Sequence, residues 1–251
     1  MNLETQVKHY DKQYRNGNAL ITDEEFNKLE RNLKAVHPDC DYFNKQLVLP
    51  SLPKDAICTF LKGLTIGTKV MLQPKYDGVA VAIEYKYGKI NKAITRKGKD
   101  ITNKMIRIET VPLRVPYRMF SRSNKTIMVR GELYANNCPG NVSQRKAAGY
   151  LRSGSFNPHP NLKFCAFEIL NSSLDQSDQC KYLSKLKFHT TRWTLTDIKH
   201  LREHRKNWIN GKLWSNLPID GLVVKINSKE EQIAREKQYH LYPYSQMAIK
   251  Y

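Results

Sequence analysis

One lysine in the chain has neighbours that suit a nucleophile. Lys75 is followed by Tyr76, Asp77 and Gly78, so it stands at the end of a predicted strand and directly before a glycine turn. A lysine attacks phosphorus only as the free amine, which requires burial or nearby cations to lower the pKa of its ammonium group. The alternative is an ordinary exposed turn lysine, and these four residues alone do not separate the two interpretations.

Further short motifs follow Lys75 in order along the chain. Each combines a strand-like apolar run with glycine or charged residues. They are Val129-Arg130-Gly131-Glu132, Phe164-Cys165-Ala166-Phe167-Glu168, Asp220-Gly221-Leu222-Val223-Val224-Lys225 and Met247-Ala248-Ile249-Lys250. The motifs supply lysines that can neutralise phosphate charge and a carboxylate that can hold a hard cation.

Hydrophobic periodicity indicates the elements that must position these residues. Val79, Val81 and Ile83 alternate before the turn at residues 87–89, which predicts a β-hairpin. Residues 127–129, 164–170 and 222–226 read as further strands, and residues 175–210 read as helical and basic. Strands and helices do not alternate regularly, so the pattern predicts an α+β domain with antiparallel sheets.

Residues 1–45 are predicted to form a small helical domain ahead of a larger domain at 46–251. Thr22 and Glu25 have the spacing of a capping box at a helix start. The apolar face of that helix is predicted to consist of Phe26, Leu29, Leu33 and Val36, and an earlier helix is indicated by Val7, Tyr10 and Tyr14.

Composition narrows the function classes. Lys and Arg total 42 against 23 Asp and Glu, which gives a net charge of +19 and favours a polyanionic partner. No run of about 18 uncharged apolar residues predicts a membrane span, and no secretory signal is visible, so we expect an intracellular protein. The 5 cysteines include no C-x-x-C pair, which indicates reduced thiols and not a disulfide framework or structural zinc site.

The ordered motifs resemble those of the covalent nucleotidyltransferases, the superfamily of DNA ligases, RNA ligases and mRNA capping enzymes. The resemblance runs from about residue 50 to the end. It is closest to the NAD-dependent DNA ligases, which carry a small helical domain ahead of a nucleotidyltransferase fold of antiparallel sheets with flanking helices. The additional matching stretches are Tyr14-Arg15, residues 21–29, Ser51-Leu52, Thr95-Arg96 and residues 145–152.

This resemblance implies a two-stage reaction with NAD as the AMP donor. Lys75, with Asp77 beside it, would attack the α-phosphorus of NAD, form a phosphoramide with AMP and expel nicotinamide mononucleotide. Lys225 and Lys250 would face the α-phosphate, and Asp220 would lie at the Mg²⁺ and phosphate edge. The AMP would then pass to the 5′-phosphate of a nick in double-stranded DNA.

The same resemblance assigns the binding residues. Those at the nucleotide are Ser51, Leu52, Gln73, Arg96, Arg130, Glu132 and Phe167, with Glu132 at the ribose and Phe167 stacked on adenine. Those at the nicotinamide half are Tyr14, Arg15, Asp23, Phe26 and Asn27. Arg145 and Arg152 would contact phosphates of the nicked duplex. The sequence departs from the family at Arg15, Phe26, Asn27 and Gln73, where the family has His, Tyr, Asp and Glu.

Several alternatives stay open. Phe167 can be a plain core aromatic, and Arg145 and Arg152 can be ordinary surface charges. His200, Glu203 and His204 match an inverted zinc-peptidase pattern, but the neighbouring basic residues disfavour a dication there. At the level of function, the rivals are an ATP- or GTP-dependent RNA ligase or capping-type enzyme, and a non-catalytic nucleic-acid-binding subunit.

The chain stops at Tyr251, one residue after Lys250. The resemblance implies an OB-fold, a zinc module and helix-hairpin-helix elements beyond this point in complete ligases. The expectation is therefore a fragment, or a ligase split over two chains whose partner carries those modules. Such a chain is expected to adenylate itself but to seal nicks poorly alone.

Overall fold

The description of the protein rests on a computed structural model. It covers residues 2–15, 20–38, 40, 42, 60–96, 98–116, 126–170, 172–239 and 245–250, with only the backbone at 12, 14, 15, 23 and 236–239. Structural statements below refer to these residues. Ser51 and Leu52 lie outside them, as does the predicted domain boundary at 45/46, so that division stays a prediction.

Two helices form the N-terminal part, α1 (Leu3–Arg15) and α2 (Asp23–Val36). The predicted capping box is confirmed: Thr22 Oγ1 accepts from the Glu25 amide at 3.2 Å, and Glu25 accepts from the Thr22 amide at 2.8 Å. Leu33 is fully buried, as predicted for the apolar face. Val36 was predicted on the same face but is 63% exposed at the last position of α2.

Among the described residues, eight strands form two antiparallel sheets. In chain order they are β1 (Lys69–Tyr76), β2 (Val79–Lys86), β3 (Lys89–Thr95), β4 (Thr126–Ala135), β5 (Leu162–Leu170), β6 (Thr194–Asp197), β7 (Ile219–Ile226) and β8 (Gln246–Ile249). The first sheet has the order β6-β1-β7-β8 and the second β3-β2-β4-β5. All pairings between these eight strands are antiparallel, which confirms the predicted α+β class.

The helices of the larger part flank these sheets. They are α3 (Thr102–Met105), α4 (Gly140–Arg152), α5 (Gln176–Lys185), α6 (Leu201–Ile209) and α7 (Lys229–Tyr239), with a 3₁₀ turn at Ile198–His200 before α6. The prediction of helix throughout 175–210 is wrong between α5 and that turn. There the β-branched residues of Thr194–Asp197 pair with β1 as an edge strand, because pairing satisfies the backbone groups along that side of β1.

The outer face of the first sheet is covered by α6. Leu201 and Trp208 of that helix share an apolar core with Val70, Leu72 and Val224. Side chains alternate along a strand, so the residues of β1 and β7 that lie between these core positions point to the opposite face of the sheet. The second sheet has its own core under α4 and α5.

Two further observations concern the predictions from composition. Within the described ranges, no helix combines the length and apolarity needed to cross a membrane. The described cysteines, Cys40, Cys138, Cys165 and Cys180, are free thiols.

Candidate active site

A cavity of about 360 Å³ is lined by residues of both sheets. It gathers most of the residues singled out from the sequence motifs. Those lining it are Gln73, Lys75, Asp77, Arg96, Arg130, Glu132, Phe167, Asp220, Lys225 and Lys250. Residues that are far apart in the chain therefore meet on the inward faces of the two sheets.

At one end of the cavity, a single carboxylate holds two lysines. Lys75 Nζ lies 2.7 Å from Asp220 Oδ1, and Lys250 Nζ lies 2.6 Å from Asp220 Oδ2. All three side chains are about one quarter to one third exposed, so a substrate can reach them. This end carries two ammonium groups at the mouth of the cavity, which suits a phosphate group.

A bulge between β1 and β7 turns Asp220 toward this end. Lys75 pairs with Gly221 but Tyr76 pairs with Ile219, so Asp220 is an extra residue between two ladder positions. Regular alternation would place Asp220 on the outer face with Leu222. Bulges next to active sites commonly redirect a side chain in this way.

Glycines allow the strands to approach at both edges of the site. A Cβ on Gly221 would lie 2.4 Å from the Ile249 carbonyl oxygen, and one on Gly78 would lie 2.3 Å from that of Leu133. Neither distance is sterically possible, so any side chain there would push the paired strands apart. The close approach of the neighbouring backbone therefore explains why Gly78 and Gly221 are glycines.

The carboxyl groups that line the cavity have different electrostatic surroundings. Burial alone would raise the pKa of Asp220, but hydrogen bonds from Lys250 and Lys75 outweigh it and hold that pKa below its usual range. The pKa of Asp77 is raised by burial and by the nearby Asp220 charge. Burial raises the pKa of Glu132 to about 8, although Lys75 and Arg130 act in the opposite direction.

At the other end of the cavity an aromatic ring lies among cations. Lys225 Nζ lies 5.1 Å from the centroid of Phe167, and the Arg130 guanidinium carbon lies 5.7 Å from it. Arg130 also donates to Glu168 Oε2 at 3.2 Å. A second bulge positions the ring: Arg130 pairs with Glu168 but Gly131 pairs with Ala166, so Phe167 is the extra residue.

Lys225 is unusual because its buried ammonium group has no hydrogen-bond partner among the described residues. The residue is 3% exposed, and no described acceptor satisfies its Nζ. Burial lowers the pKa of Lys225, while Glu168 acts to raise it. An orphaned buried donor beside a cavity is a site where a ligand acceptor would be favourable.

The position of Lys225 along β7 separates it from the lysine pair. Its ladder partners are Met71 on β1 and Gln246 on β8, whereas Lys75 pairs with Gly221. Five residues of strand between Asp220 and Lys225 correspond to roughly 16 Å. Gln73 lies nearer to Lys225 and is 2% exposed, with its amide nitrogen donating to Cys180 Sγ at 3.5 Å.

Of the remaining predicted residues, those whose side chains are described do not line this cavity: Phe26, Asn27, Arg145 and Arg152. Phe26 packs against the buried core of α1 and α2, and Asn27 is exposed on α2. The side chains of Tyr14, Arg15 and Asp23 lie outside the described set. Arg145 and Arg152 are exposed on α4, outside the cavity lining. The roles assigned to all of these residues stay predictions.

Sequence reasoning missed two amides and one carboxylate at the site. Gln144 on α4 and Gln246 on β8 line the cavity, and Glu168 pairs with Arg130 behind it. Gln246 directly precedes the quoted Met247 motif, and Glu168 ends the quoted Phe164 motif, so the signal for those two was present. Gln144 directly precedes Arg145, the first residue of the matched stretch 145–152, but its uncharged side chain gave no signal.

The alternative of a zinc-peptidase site at His200, Glu203 and His204 was considered from the sequence. In the described part of the chain, these side chains make other contacts. His204 Nε2 lies 3.2 Å from Thr196 Oγ1, and His200 Nδ1 lies 3.7 Å from Glu203. No group of three or more His, Cys, Asp or Glu side chains among the described residues is arranged to hold a metal ion.

Comparison with known proteins adds independent findings. Residues 60–139 match the family model described as the NAD-dependent DNA ligase adenylation domain. The chain is 28% identical over 240 residues to a DNA ligase of Petrotoga mobilis, covering 84% of the chain and 34% of that protein. It is 24% identical over 264 residues to a DNA ligase of Metamycoplasma arthritidis, covering 93% and 34%. The chain thus spans about a third of the length of these relatives.

Solved structures give the same fold. An archaeal ATP-dependent RNA ligase superposes with a TM-score of 0.54 at 18% identity, covering 80% of this chain and 48% of that one. At this identity the likeness establishes the fold alone.

Proposed function

We propose that this chain, whose residues 60–139 match the adenylation domain of the NAD-dependent DNA ligases, transfers AMP from NAD to its own Lys75. The observation that carries the proposal is the pair of lysines on Asp220 at one end of a cavity whose other end holds Phe167 and Lys225. A dinucleotide with a base, a ribose and phosphates has matching chemistry along that length.

The proposed reaction exchanges one bond to phosphorus for another. The Lys75 amine forms an N–P bond to the α-phosphorus while the bond from that phosphorus to the bridging oxygen breaks, and nicotinamide mononucleotide leaves with that oxygen. The Lys75 ammonium must first lose a proton. Asp220 is a weak proton acceptor because its pKa is depressed, so we expect it to orient Lys75 and to leave the proton to solvent.

Lys250 is proposed to stabilise the charge that develops on the phosphate. It shares Asp220 with Lys75 and therefore lies beside the reacting phosphorus when Lys75 does. A cation fixed at that place before the reaction lowers the barrier without reorganisation. Asp77, whose backbone amide donates to Pro218 at 2.9 Å, completes the wall next to Lys75.

The opposite end is proposed to hold adenine. Phe167 offers a ring face for stacking, and Lys225 offers an unsatisfied donor for a ring nitrogen. Gln73 can accept from the adenine amino group through its Oε1, since its nitrogen is engaged with Cys180. This arrangement favours a base contact for Lys225 over the phosphate contact expected from the resemblance.

Between the two ends, Glu132, Arg130 and Arg96 are proposed to contact the ribose and phosphates. Burial raises the pKa of the Glu132 carboxyl group to about 8, and ribose hydroxyls would supply hydrogen-bond donors to it.

Mg²⁺ fits the donors at the phosphate end. It commonly binds one or two carboxylates together with substrate phosphates and needs no larger protein cluster. Asp220 and the neighbouring Asp77 line this end, and they are the residues that would hold the ion. A bound ion would supply charge neutralisation at the phosphate oxygens.

Residues 1–45 are proposed to bind the nicotinamide half of NAD, through Tyr14, Arg15, Asp23, Phe26 and Asn27. Ser51 and Leu52 are proposed to contact the nucleotide. Both proposals rest on the stated resemblance and on the confirmed helical pair.

The second half-reaction is proposed to act on the 5′-phosphate of a nicked DNA duplex inside the cell. Arg145 and Arg152 would contact its backbone, consistent with the net charge of +19. Sealing is proposed to require an OB-fold, zinc and helix-hairpin-helix modules, whether on the same polypeptide or on a second chain.

The choice of donor tests this proposal against its rivals. The protein is incubated with Mg²⁺ and either NAD or ATP, and the release of nicotinamide mononucleotide or pyrophosphate is measured against the adduct. We expect one nicotinamide mononucleotide per adduct from NAD and no adduct from ATP. An adduct from ATP alone would favour an ATP-dependent enzyme, and no adduct from either would favour a non-catalytic subunit.

A further inference from the structure

A second cleft lies at the C-terminal end of α4, apart from the candidate active site. Its charged lining consists of Lys99, Lys104, Arg152 and Asp100, three cations against one carboxylate. Asp100 is already engaged, since it accepts from the Thr102 amide at 2.9 Å and from the Thr102 hydroxyl at 2.7 Å. The cleft therefore presents a net positive charge that its own acid does not neutralise.

A buried cation fixes the wall of this cleft. Lys104 is 8% exposed, and its ammonium group donates to the carbonyl of Ser153 at 2.8 Å and to the carbonyl of Ser155. Those carbonyls belong to the loop that follows α4. These hydrogen bonds fix the loop against α3. Both acceptors are backbone carbonyls, and neither is a carboxylate.

The loop presents an aromatic ring to solvent. Phe156 is 47% exposed although Lys104 Nζ lies 4.9 Å and the Arg107 guanidinium carbon 5.5 Å from its ring centroid. An exposed ring beside basic groups is the combination that single strands and bases bind, since the cations meet phosphates and the ring meets a base or sugar.

Helix α4 connects this cleft to the active-site cavity. Gln144 lines the cavity, and Arg152 lines the cleft eight residues later. Eight helical residues span about 12 Å. Since a duplex rises about 3.4 Å per nucleotide on each strand, this length corresponds to between three and four nucleotides.

We propose that the second cleft binds the DNA strand three to four nucleotides from the reacting phosphate, with Phe156 against a base or deoxyribose and Lys99 at a phosphate. The inference rests on the proposed function, because it takes the nick to lie at Lys75. It extends the predicted Arg152 contact to residues outside the sequence motifs, since neither Lys99 nor Phe156 was singled out in them.

Photocrosslinking from position 156 locates the bound DNA strand relative to the nick. The full chain with p-benzoylphenylalanine at position 156 is first adenylated with NAD, then bound to a 5′-phosphorylated nicked duplex and irradiated. We expect crosslinks confined to within about four nucleotides of the nick. Crosslinks elsewhere, or none, would overturn the proposal.

Two substitutions in the adenylated protein test how much Phe156 and Lys99 contribute to DNA binding. Phe156→Ala should weaken nicked-duplex binding roughly tenfold, because burial of the ring against the DNA strand is lost. Lys99→Ala should reduce the slope of log K against log salt by about one. The matched control is Tyr87→Ala, which removes another half-exposed ring on the β2–β3 turn and should leave binding unchanged.

The outcomes separate the two proposals. If no adduct forms from NAD, the proposed function fails. If the adduct forms but Phe156→Ala and Tyr87→Ala bind nicked DNA like the unsubstituted chain, the second cleft is refuted. Failure of the adenylated chain to bind nicked DNA at all would also refute it.

Discussion

Two lysines are buried in the described part of the chain, and they differ in what holds the ammonium group. Lys104 is satisfied by backbone carbonyls, whereas Lys225 has no hydrogen-bond partner. A buried polar group without a partner costs free energy that folding must offset from elsewhere. The retention of Lys225 therefore points to a ligand that satisfies it.

This contrast gives a prediction on stability. Lys225→Met should leave the melting temperature unchanged or raise it, because a desolvated charge is removed, while the KM for NAD rises about tenfold or more. Lys104→Met is the matched control and should destabilise by about 1–3 kcal/mol, since two carbonyls lose their donor. Thermal melts with adenylation kinetics check both, and a large loss of stability in Lys225→Met would contradict the account.

Glu132 provides a prediction on pH. Its pKa is about 8 in the folded protein and ordinary when unfolded, so between these values only the unfolded chain gives up the proton. The unfolded state then binds fewer protons, and stability falls as pH rises from about 4.5 to 8. Glu132→Gln removes this loss.

Melting temperatures of Glu132→Gln and the unsubstituted protein should therefore be similar near pH 5 and diverge by pH 8.5, with the variant higher. Glu203→Gln removes a carboxyl whose side chain is 70% exposed and should show no such divergence. Adenylation by Glu132→Gln should fall, since the ribose contact is weakened. A pH-independent difference in melting temperature would refute the assigned burial effect.

At the scale of elements, two β-bulges decide which side chains face the cavity. Asp220 and Phe167 are the extra residues in β7 and β5, and both are turned inward. The strands themselves follow from the alternation of apolar residues, which is why the hairpin and the strands at 127–129, 164–170 and 222–226 were predictable. The bulges were not, because a period of two carries no mark of where one residue is inserted.

The close approach at Gly221 gives the prediction for this scale. In Gly221→Ala the new Cβ would meet the Ile249 carbonyl oxygen, push β8 from β7 and displace Lys250. We expect a loss of roughly 1–3 kcal/mol and a much lower adenylation rate. Gly149→Ala on α4 has nothing within 4 Å of its Cβ and should instead stabilise by up to about 1 kcal/mol. Denaturant unfolding of both variants checks the pair, and equal effects would contradict the packing argument.

For the whole molecule, the helices that flank the sheets differ in whether they reach the cavity: Gln144 of α4 lines it, whereas no residue of α6 does. Helix α6, with Arg202 and Lys206 exposed, covers the face of the first sheet opposite the cavity. The sequence showed a net charge of +19 but could not show which basic residues lie on a helix that reaches the cavity. That placement depends on sheet pairings between residues far apart in the chain, such as β1 with β7.

Because α4 reaches the cavity through Gln144 and α6 does not, we expect the two helices to contribute unequally to DNA binding. Arg145→Ala with Arg152→Ala should reduce the slope of log K against log salt for nicked DNA by about two. Arg202→Ala with Lys206→Ala removes the same charge from α6 and should change the slope by much less. Titrations at several salt concentrations measure both, and equal slopes for the two double variants would contradict the assignment of the DNA-facing side.

The central claim is that Lys75 carries AMP. The most direct measurement is the intact mass of the folded protein after incubation with NAD and Mg²⁺, followed by peptide mapping of the modified residue. The account predicts one added adenylyl group, located on Lys75 and absent from Lys75→Ala. An unmodified mass, or an adduct that maps to another residue or persists in Lys75→Ala, would contradict it.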